Sequence, residues 1–352
     1  MTSWHFRLVE TGLVPDWVTQ AAVRVWLKRS NAAKYRVPVE QRRQAKRLLI
    51  RHLRESPIAI RPMEPNRQHY EVPTTFFQLV LGRRLKYSCC YWPSGVQTLD
   101  QAEDAMLQLT CDRAQVQDGM RVLDLGCGWG SLALWIVEHY PNCRVTAISN
   151  SQTQVDHIRE QSRLLGLTSV EAVRADANDF HPQGQFDRVL SVEMFEHMKN
   201  YERLMGRIST WLRPEGLLFV HAFCHREFAY EFETVDPRNW MARTFFTGGT
   251  MPSDDLLLHF QRDLNLVDHW SLDGWHYART LREWRQQLDA NRQQVRRVLK
   301  DAFGAEQATR CLTNWRLFFI ACEAIWGLDR GKEYLVSHYL FQPQGARQRF
   351  DA

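Results

Sequence analysis

The stretch from Ser191 to Tyr201, SVEMFEHMKNY, sets two carboxylates, Glu193 and Glu196, beside His197, directly after the apolar run FDRVLSV. Acids at the end of an apolar strand are costly unless they are paired or used. An acid next to an imidazole is also the combination that moves protons near neutral pH. A structural reading stays open, with Glu196 paired to a nearby Arg or Lys and His197 filling a helix start. A second candidate lies upstream. The apolar run RVLDLG leads into D-x-G-x-G-x-G from Asp124 to Gly130, and then into a helical stretch. Glycine there lets the backbone turn tightly and approach a ligand closely. A dinucleotide fingerprint would need its third glycine at Ser131, and a phosphate loop would need GK[ST]. Neither fits, so a ligand without a phosphate cradle is expected.

Other chemistries find little support. The eight cysteines include no CxxC pair and no Cys/His zinc spacing, so no metal site is expected and the thiols read as reduced. Cys89-Cys90 is the one unusual doublet. Between Arg24 and Arg54 there are 11 Lys/Arg against the single acid Glu40. This is a solvated basic face or a patch for an acidic membrane; no aromatic/basic RNA motif accompanies it, so nucleic acid is not expected. No apolar run is long enough to span a bilayer. The start MTSWHFRLVE carries charge where a signal peptide needs an apolar core, so a cytoplasmic location is expected. Peripheral membrane contact and a homodimer are both compatible with the sequence.

These candidates must be held by elements, and the pattern along the chain supplies them. At 352 residues with 44% hydrophobic and 24% charged residues, the chain suits a globular core with appended parts. Residues 15–56 alternate apolar and basic positions at helical spacing, with Pro38 dividing two helices and Pro57 ending the second. Four prolines mark an irregular connector over 57–73. Thr98 then caps a helix over TLDQAEDAMLQLTCDRAQV. After Gly119, the runs RVLDLG, CRVTAIS, SVEAVRAD, FDRVLSV and GLLFVHAF alternate with helical stretches. Almost fully apolar strands alternating with helices predict an α/β fold whose mostly parallel sheet is covered on both faces. LNLVDHWSL and YLVSHYLFQ are later strands that would close an edge, with a long helical block over 280–328 between them.

The stretches HYEVPTTFFQLVLGRRLKYSCCYW, TLDQAEDAML, VLDLGCGWGSLALWI, SVEMFEHMKNYERL, FVHAFCHREFAYEFE, FFTGGTMPS and HWSLDGWHYARTLREW cover about 65 to 345. Together they resemble the S-adenosylmethionine-dependent cyclopropane-fatty-acid-synthase superfamily, and within it the coclaurine N-methyltransferase-like branch. The resemblance implies a class I S-adenosylmethionine methyltransferase, Rossmann-like, with N-terminal and C-terminal helical lid additions. It divides the chain into a helical lid over 1–110, a cofactor-binding core over 111–225, and substrate-binding insertions over 226–352 that include the last core strands (about 264–277 and 334–343). On this likeness S-adenosyl-L-methionine is the cofactor. Asp124, Gly126 and Gly128 of the glycine loop would bind it, and Tyr87 and Ser88 would meet its methionine end. Ser149, Asn150 and Gln154 would meet the ribose hydroxyls, with Gln154 standing in for the acid usual there. Asp176, Ala177 and Asn178 would meet the adenine.

Two reactions share this scaffold. In the lipid enzymes an alkene attacks the sulfonium methyl and a bound bicarbonate removes a proton; Cys89, Glu196, His221 and Tyr277 match that anion site. In the amine branch a nitrogen attacks. GGTMPS, the doublet SCC and VEMFEHMKN favour the amine reaction. Trp315, Phe318, Phe319, Glu323 and Trp326 recur at helical spacing and would wall the small-molecule amine, although a core stripe would look the same. A protonated amine has no lone pair. With a pKa about 3 units above neutral, only ~10⁻³ is free, a cost of about 4 kcal/mol. The resemblance makes Glu196 and His197 the base pair. Glu193 would position the amine or orient that pair, and Glu71 would add a second ammonium contact beside Tyr70 in the lid.

Overall fold

The computed structural model describes residues 14–59, 72–232 and 244–345. The two N-terminal helices form as the periodicity predicts, α1 over Asp16–Arg36 and α2 over Val39–Glu55, with Pro38 between them. Several of their basic residues are anchored. Arg42 pairs with Glu227, Lys46 with Asp255 at 2.7 Å and Arg54 with Glu202 at 3.0 Å. The basic run is therefore partly a set of ties to the core. A short α3, Thr74–Val80, buries Phe76, Phe77 and Val80. Helix α4, Leu99–Arg113, starts at a capping box between Thr98 and Gln101, which satisfies N-terminal amides that have no helical partner.

Seven strands build the sheet: β1 Arg121–Leu125, β2 Arg144–Ser149, β3 Val170–Arg174, β4 Phe186–Val192, β5 Leu212–His225, β8 Leu264–Asp273 and β9 Tyr334–Pro343. Two more, β6 Tyr230–Glu231 and β7 Thr250–Met251, form a separate antiparallel pair. The main sheet runs β3-β2-β1-β4-β5-β9-β8. Its first five strands pair in parallel, and β9 lies antiparallel between β5 and β8. The crossover helices are α5 Ser131–His139, α6 Gln152–Leu164 and α7 Tyr201–Trp211. The chain reverses strand order at β1, so the carboxyl ends of β1 and β4 open onto one crevice, the usual ligand position in such sheets.

The block over 280–328 is three helices: α8 Trp275–Ala290, α9 Arg292–Phe303 and α10 Ala305–Trp326. Breaks at Asn291 and Gly304 let α8 and α9 both pack on α10. Position 110 falls inside α4, and Leu27, Phe76, Phe77, Trp284, Trp315 and Phe319 share one apolar core. The appended parts from both ends of the chain thus pack as a single cap over the crevice. Among the described residues no helix is long and apolar enough to cross a membrane.

Candidate active site

The glycine loop leaves β1 with Gly126, Gly128 and Gly130 all at positive φ (83°, 53° and 83°). They serve different ends. A Cβ on Gly126 would lie 2.7 Å from Met194 Cγ, and one on Gly130 2.6 Å from Ile158 Cγ1, so both permit close packing. A Cβ on Gly128 would meet nothing within 4 Å. Gly128 faces the crevice. That crevice is lined by Lys86, Tyr87, Ser88, Asp124, Gly126, Gly128, Trp129, Ser149, Asn150, Gln154, Asp176 and Ala177. Among the described residues, five buried polar atoms of its lining have no hydrogen-bond partner: Asp124 Oδ2, Gln154 Nε2 and the indole Nε1 of Trp129, Trp284 and Trp326. Burial pushes the Asp124 carboxyl up to about 7. Ser149 Oγ donates to Gln154 Oε1 at 2.6 Å and so fixes that amide. Orphaned acceptors and donors beside an open glycine suit a polar ligand without phosphate, and S-adenosylmethionine fits them. Of the residues expected at the adenine end, Asn178 does not line the crevice. Its amide donates to Asp176 Oδ1 and its Oδ1 accepts from Ala59 N–H at 3.2 Å, so it braces Asp176 from behind.

The proton-handling stretch leaves β4 in a tight turn that ends in the single helical turn Phe195–His197. Glu193 sits at φ 49°, a left-handed conformation rare outside glycine. That turn aims its carboxylate at three donors. Oε1 accepts from Cys89 N–H at 2.8 Å and lies 3.2 Å from His221 Nε2, while Oε2 accepts from the Tyr277 hydroxyl at 2.6 Å. Cys89 and His221 hold Glu193 and do not themselves line the crevice; Tyr277 does both. The positions expected to bind a free anion are therefore filled by the chain's own carboxylate. Burial raises the Glu193 carboxyl above the ordinary range, opposed by the Lys86 charge, the Cys89 N–H and Tyr277 hydroxyl bonds, and His197. Burial also pushes the Cys89 thiol and the Tyr277 hydroxyl up strongly, so Tyr277 keeps the proton it donates to Glu193.

The expected base doublet separates. Glu193 and His197 line the crevice, and Glu196 does not. Glu196 is fully buried; its Oε1 accepts from Phe223 N–H at 2.7 Å, and its Oε2 has no partner among the described residues. Burial, then the charge of Glu193, pushes its carboxyl far up, which favours its neutral form. The reason is local backbone geometry: the left-handed φ at Glu193 turns its carboxylate toward the crevice, while Glu196, inside the single helical turn, turns toward Phe223 of β5.

Helix α10 shows a similar offset. Phe318, Cys322 and Trp326, spaced four apart, line the crevice. Phe319 and Glu323, one position on, face α8 instead. Phe319 packs on Trp284, and Glu323 pairs with Arg282 at 2.8 Å and Arg285 at 3.5 Å. These two are structural, as is the buried Trp315, which packs between Phe76 and Phe318. Glu71 and Tyr70 lie outside the described residues. The sequence reading passed over Lys86, Trp129, Phe223, Phe246 and Trp284, all of which line the crevice. Trp129 could have been suspected from its place inside the glycine loop. Phe246 stacks on His197 at 5.4 Å and meets Phe223; Phe223 meets Trp326, which in turn lies 4.7 Å from Tyr277. An arc of aromatic faces thus flanks the Glu193 carboxylate.

Comparison with known proteins places this geometry. A family model described as mycolic acid cyclopropane synthetase matches residues 59–329. The (S)-coclaurine N-methyltransferase of Thalictrum flavum subsp. glaucum is 40% identical over 338 residues, covering 95% of this chain and 94% of that protein. A pavine N-methyltransferase of the same plant is 39% identical, covering 78% of each chain. The crystal structure of a coclaurine N-methyltransferase bound to N-methylheliamine and SAH superposes with a TM-score of 0.92, at 40% identity, covering 96% of this chain and 98% of that one.

Proposed function

The chain belongs to the mycolic acid cyclopropane synthetase family, and we propose that within it this protein methylates the nitrogen of a small, isoquinoline-like aromatic amine. It is a methyltransferase, and its cofactor is S-adenosylmethionine. When bound, the cofactor supplies the electrophilic methyl carbon. Asp124, Gly126, Gly128, Tyr87 and Ser88 would hold its methionine end, Ser149, Asn150 and Gln154 its ribose, and Asp176 with Ala177 its adenine.

One observation carries the choice of nitrogen over alkene: the carboxylate of Glu193 fills the three-donor cradle of Cys89, His221 and Tyr277. A lipid reaction of the kind the family also performs needs a free anion in that place. A second anion beside a buried carboxylate is repelled. For an amine, the same carboxylate is an asset. It has about four acceptor positions and three are taken, leaving one on Oε2 for the ammonium of the substrate. Glu193 and His197 then draw off the proton as the nitrogen lone pair forms, and the aromatic arc of Phe223, Phe246, Phe318 and Trp326 stabilises the cation. Glu196 is a positioning residue, a neutral acid that ties the turn to β5 through Phe223 N–H. Eight free thiols, seven of them buried, suit a reducing compartment such as the cytosol.

The test is a panel of secondary and tertiary aromatic amines, incubated with labelled methyl donor in parallel with unsaturated phospholipid vesicles, with and without added bicarbonate. Transfer to an amine at a rate indifferent to bicarbonate is the expected result. Transfer to phospholipid alone, stimulated by bicarbonate, would reverse the assignment.

A further inference from the structure

Behind Glu193 runs a chain of side chains that the reaction as described does not use. His221 on β5, His338 on β9 and Trp270 on β8 are direct register partners across three adjacent strands, so they form one row on one face of the sheet. His338 Nε2 lies 3.0 Å from His221 Nδ1, and Arg113 Nη1 lies 2.8 Å from His338 Nδ1. Arg113 ends helix α4, and its guanidinium sits over the Trp270 ring at 4.9 Å. Both imidazoles are fully buried, and Phe219 meets the edge of His338 at 5.0 Å. The row therefore reads Arg113, His338, His221, Glu193, each within hydrogen-bond distance of the next.

The chemistry of the two ends fixes the direction of every bond between them. Arginine donates and never accepts, and an ionised carboxylate only accepts. His338 Nδ1 must accept from Arg113, so its ring proton sits on Nε2 and is given to His221 Nδ1. The His221 proton is then on its own Nε2, aimed at Glu193 Oε1. Reversing any link would set two donors or two acceptors against each other in a dry interior, which costs about 1–3 kcal/mol per unmade bond. The other charged or titratable groups near this row are Lys86, Cys89, Tyr277 and His197 beside Glu193, Glu196 behind it, and Tyr91 and Asp268 beside Arg113.

Resting on the reading of Glu193 as the carboxylate that meets the amine, we propose that Arg113 and His338 are positioning residues. Through His221 they set the imidazole tautomer presented to Glu193 and so keep that carboxylate ionised and pointed into the crevice. Arg113 acts here from the outer end of the row without touching either substrate. The chain orients and does not export protons, since a guanidinium cannot take one up.

The experiment uses full-length protein labelled with ¹⁵N-histidine, its imidazole resonances assigned by the His221→Gln and His338→Gln variants. The parent protein should show both rings as single Nε2–H tautomers from about pH 6 to 9. Arg113→Met keeps the stem over Trp270 and removes the donor. It should shift the His338 Nδ1 resonance, move the acid limb of the kcat–pH profile up by ~0.5–1 unit and lower kcat ~3–30-fold at pH 7. Arg113→Lys, which restores a donor, should recover the parent profile at least in part. An Nδ1–H tautomer on either ring of the parent overturns the proposal. So does an Arg113→Met variant with parent resonances and the parent pH profile. The spectra need no turnover, so a tautomer result stands even if the protein proves to methylate something other than an amine.

Discussion

Replacing Glu193 by Gln isolates the charge of the carboxylate from its shape. The amide oxygen can keep the Cys89 N–H and His221 contacts now made by Oε1. The amide NH₂ then faces the Tyr277 hydroxyl, which can rotate from donor to acceptor. The Tyr277 proton gives up its carboxylate acceptor, a cost of about 1–3 kcal/mol, but a buried charge is removed, so the fold should hold and cofactor affinity should change less than about threefold. The catalytic loss should be large. A positioned base contributes typically ~10²–10⁴ in rate, equal to about 3–5 kcal/mol of barrier, and Glu193 is the carboxylate that lines the crevice. Because burial raises its carboxyl above the ordinary range, the parent kcat should fall as pH drops through that raised value. The variant should lose this limb, since no carboxyl remains to titrate. The assay is transfer of labelled methyl to a saturating amine from about pH 6 to 10, with cofactor binding measured separately. A Glu193→Gln enzyme whose kcat stays within about threefold of the parent, with the acid limb intact, would refute the assignment.

Other substitutions test the neighbouring parts. Glu196→Gln keeps an oxygen for Phe223 N–H and mimics the neutral acid, so kcat should fall less than ~10-fold, well short of the Glu193→Gln loss; a larger fall would return the base role to Glu196. Glu103 gives one oxygen each to Arg84 N–H (2.8 Å) and Lys86 N–H (3.1 Å), and a glutamine can serve only one of them. Glu103→Gln should cost about 1–3 kcal/mol in urea unfolding and raise the KM for the cofactor, by loosening the segment that carries Tyr87 and Ser88. Burial pushes the Glu103 carboxyl from 4.5 up to about 7. A folded value above the unfolded one means the unfolded chain holds fewer protons between those limits. Parent stability should therefore be greatest below about pH 4.5 on this account and decline toward pH 7, a decline that Glu103→Gln should lack. Finally, Phe318→Ala should raise the amine KM with a modest change in Tm. Phe319→Ala, fully buried against Trp284 and Trp315, should cost ~3–5 kcal/mol of stability.

Local chemistry settled much of this protein in one dimension. The strand runs, the break at Pro38, the Thr98 cap and the glycine loop follow from side-chain periodicity and backbone preference, which act over a few residues and are written in order along the chain. The same locality explains why Asp124, Gly128, Ser149, Gln154 and Asp176 could be placed at the crevice: each stands at or just beyond the carboxyl end of a strand whose neighbours are set by parallel crossovers. The resemblance to a family carried the rest of the functional reading, down to the expectation of an acid and a histidine at one turn.

What the sequence left open was direction. Which of Glu193 and Glu196 faces the crevice depends on a left-handed φ at one residue, and no spacing rule contains that angle. Which stripe of α10 meets the ligand depends on how α8 packs beside it, a rotation of one residue that exchanges Phe319 and Glu323 for Phe318, Cys322 and Trp326. The row from Arg113 through His338 and His221 joins residues more than two hundred positions apart, and it exists because β9 inserts antiparallel between β5 and β8. Side-chain types are a property of the chain. The surface each one faces is decided only when distant segments compete to bury it, and that competition is settled by the packed structure as a whole.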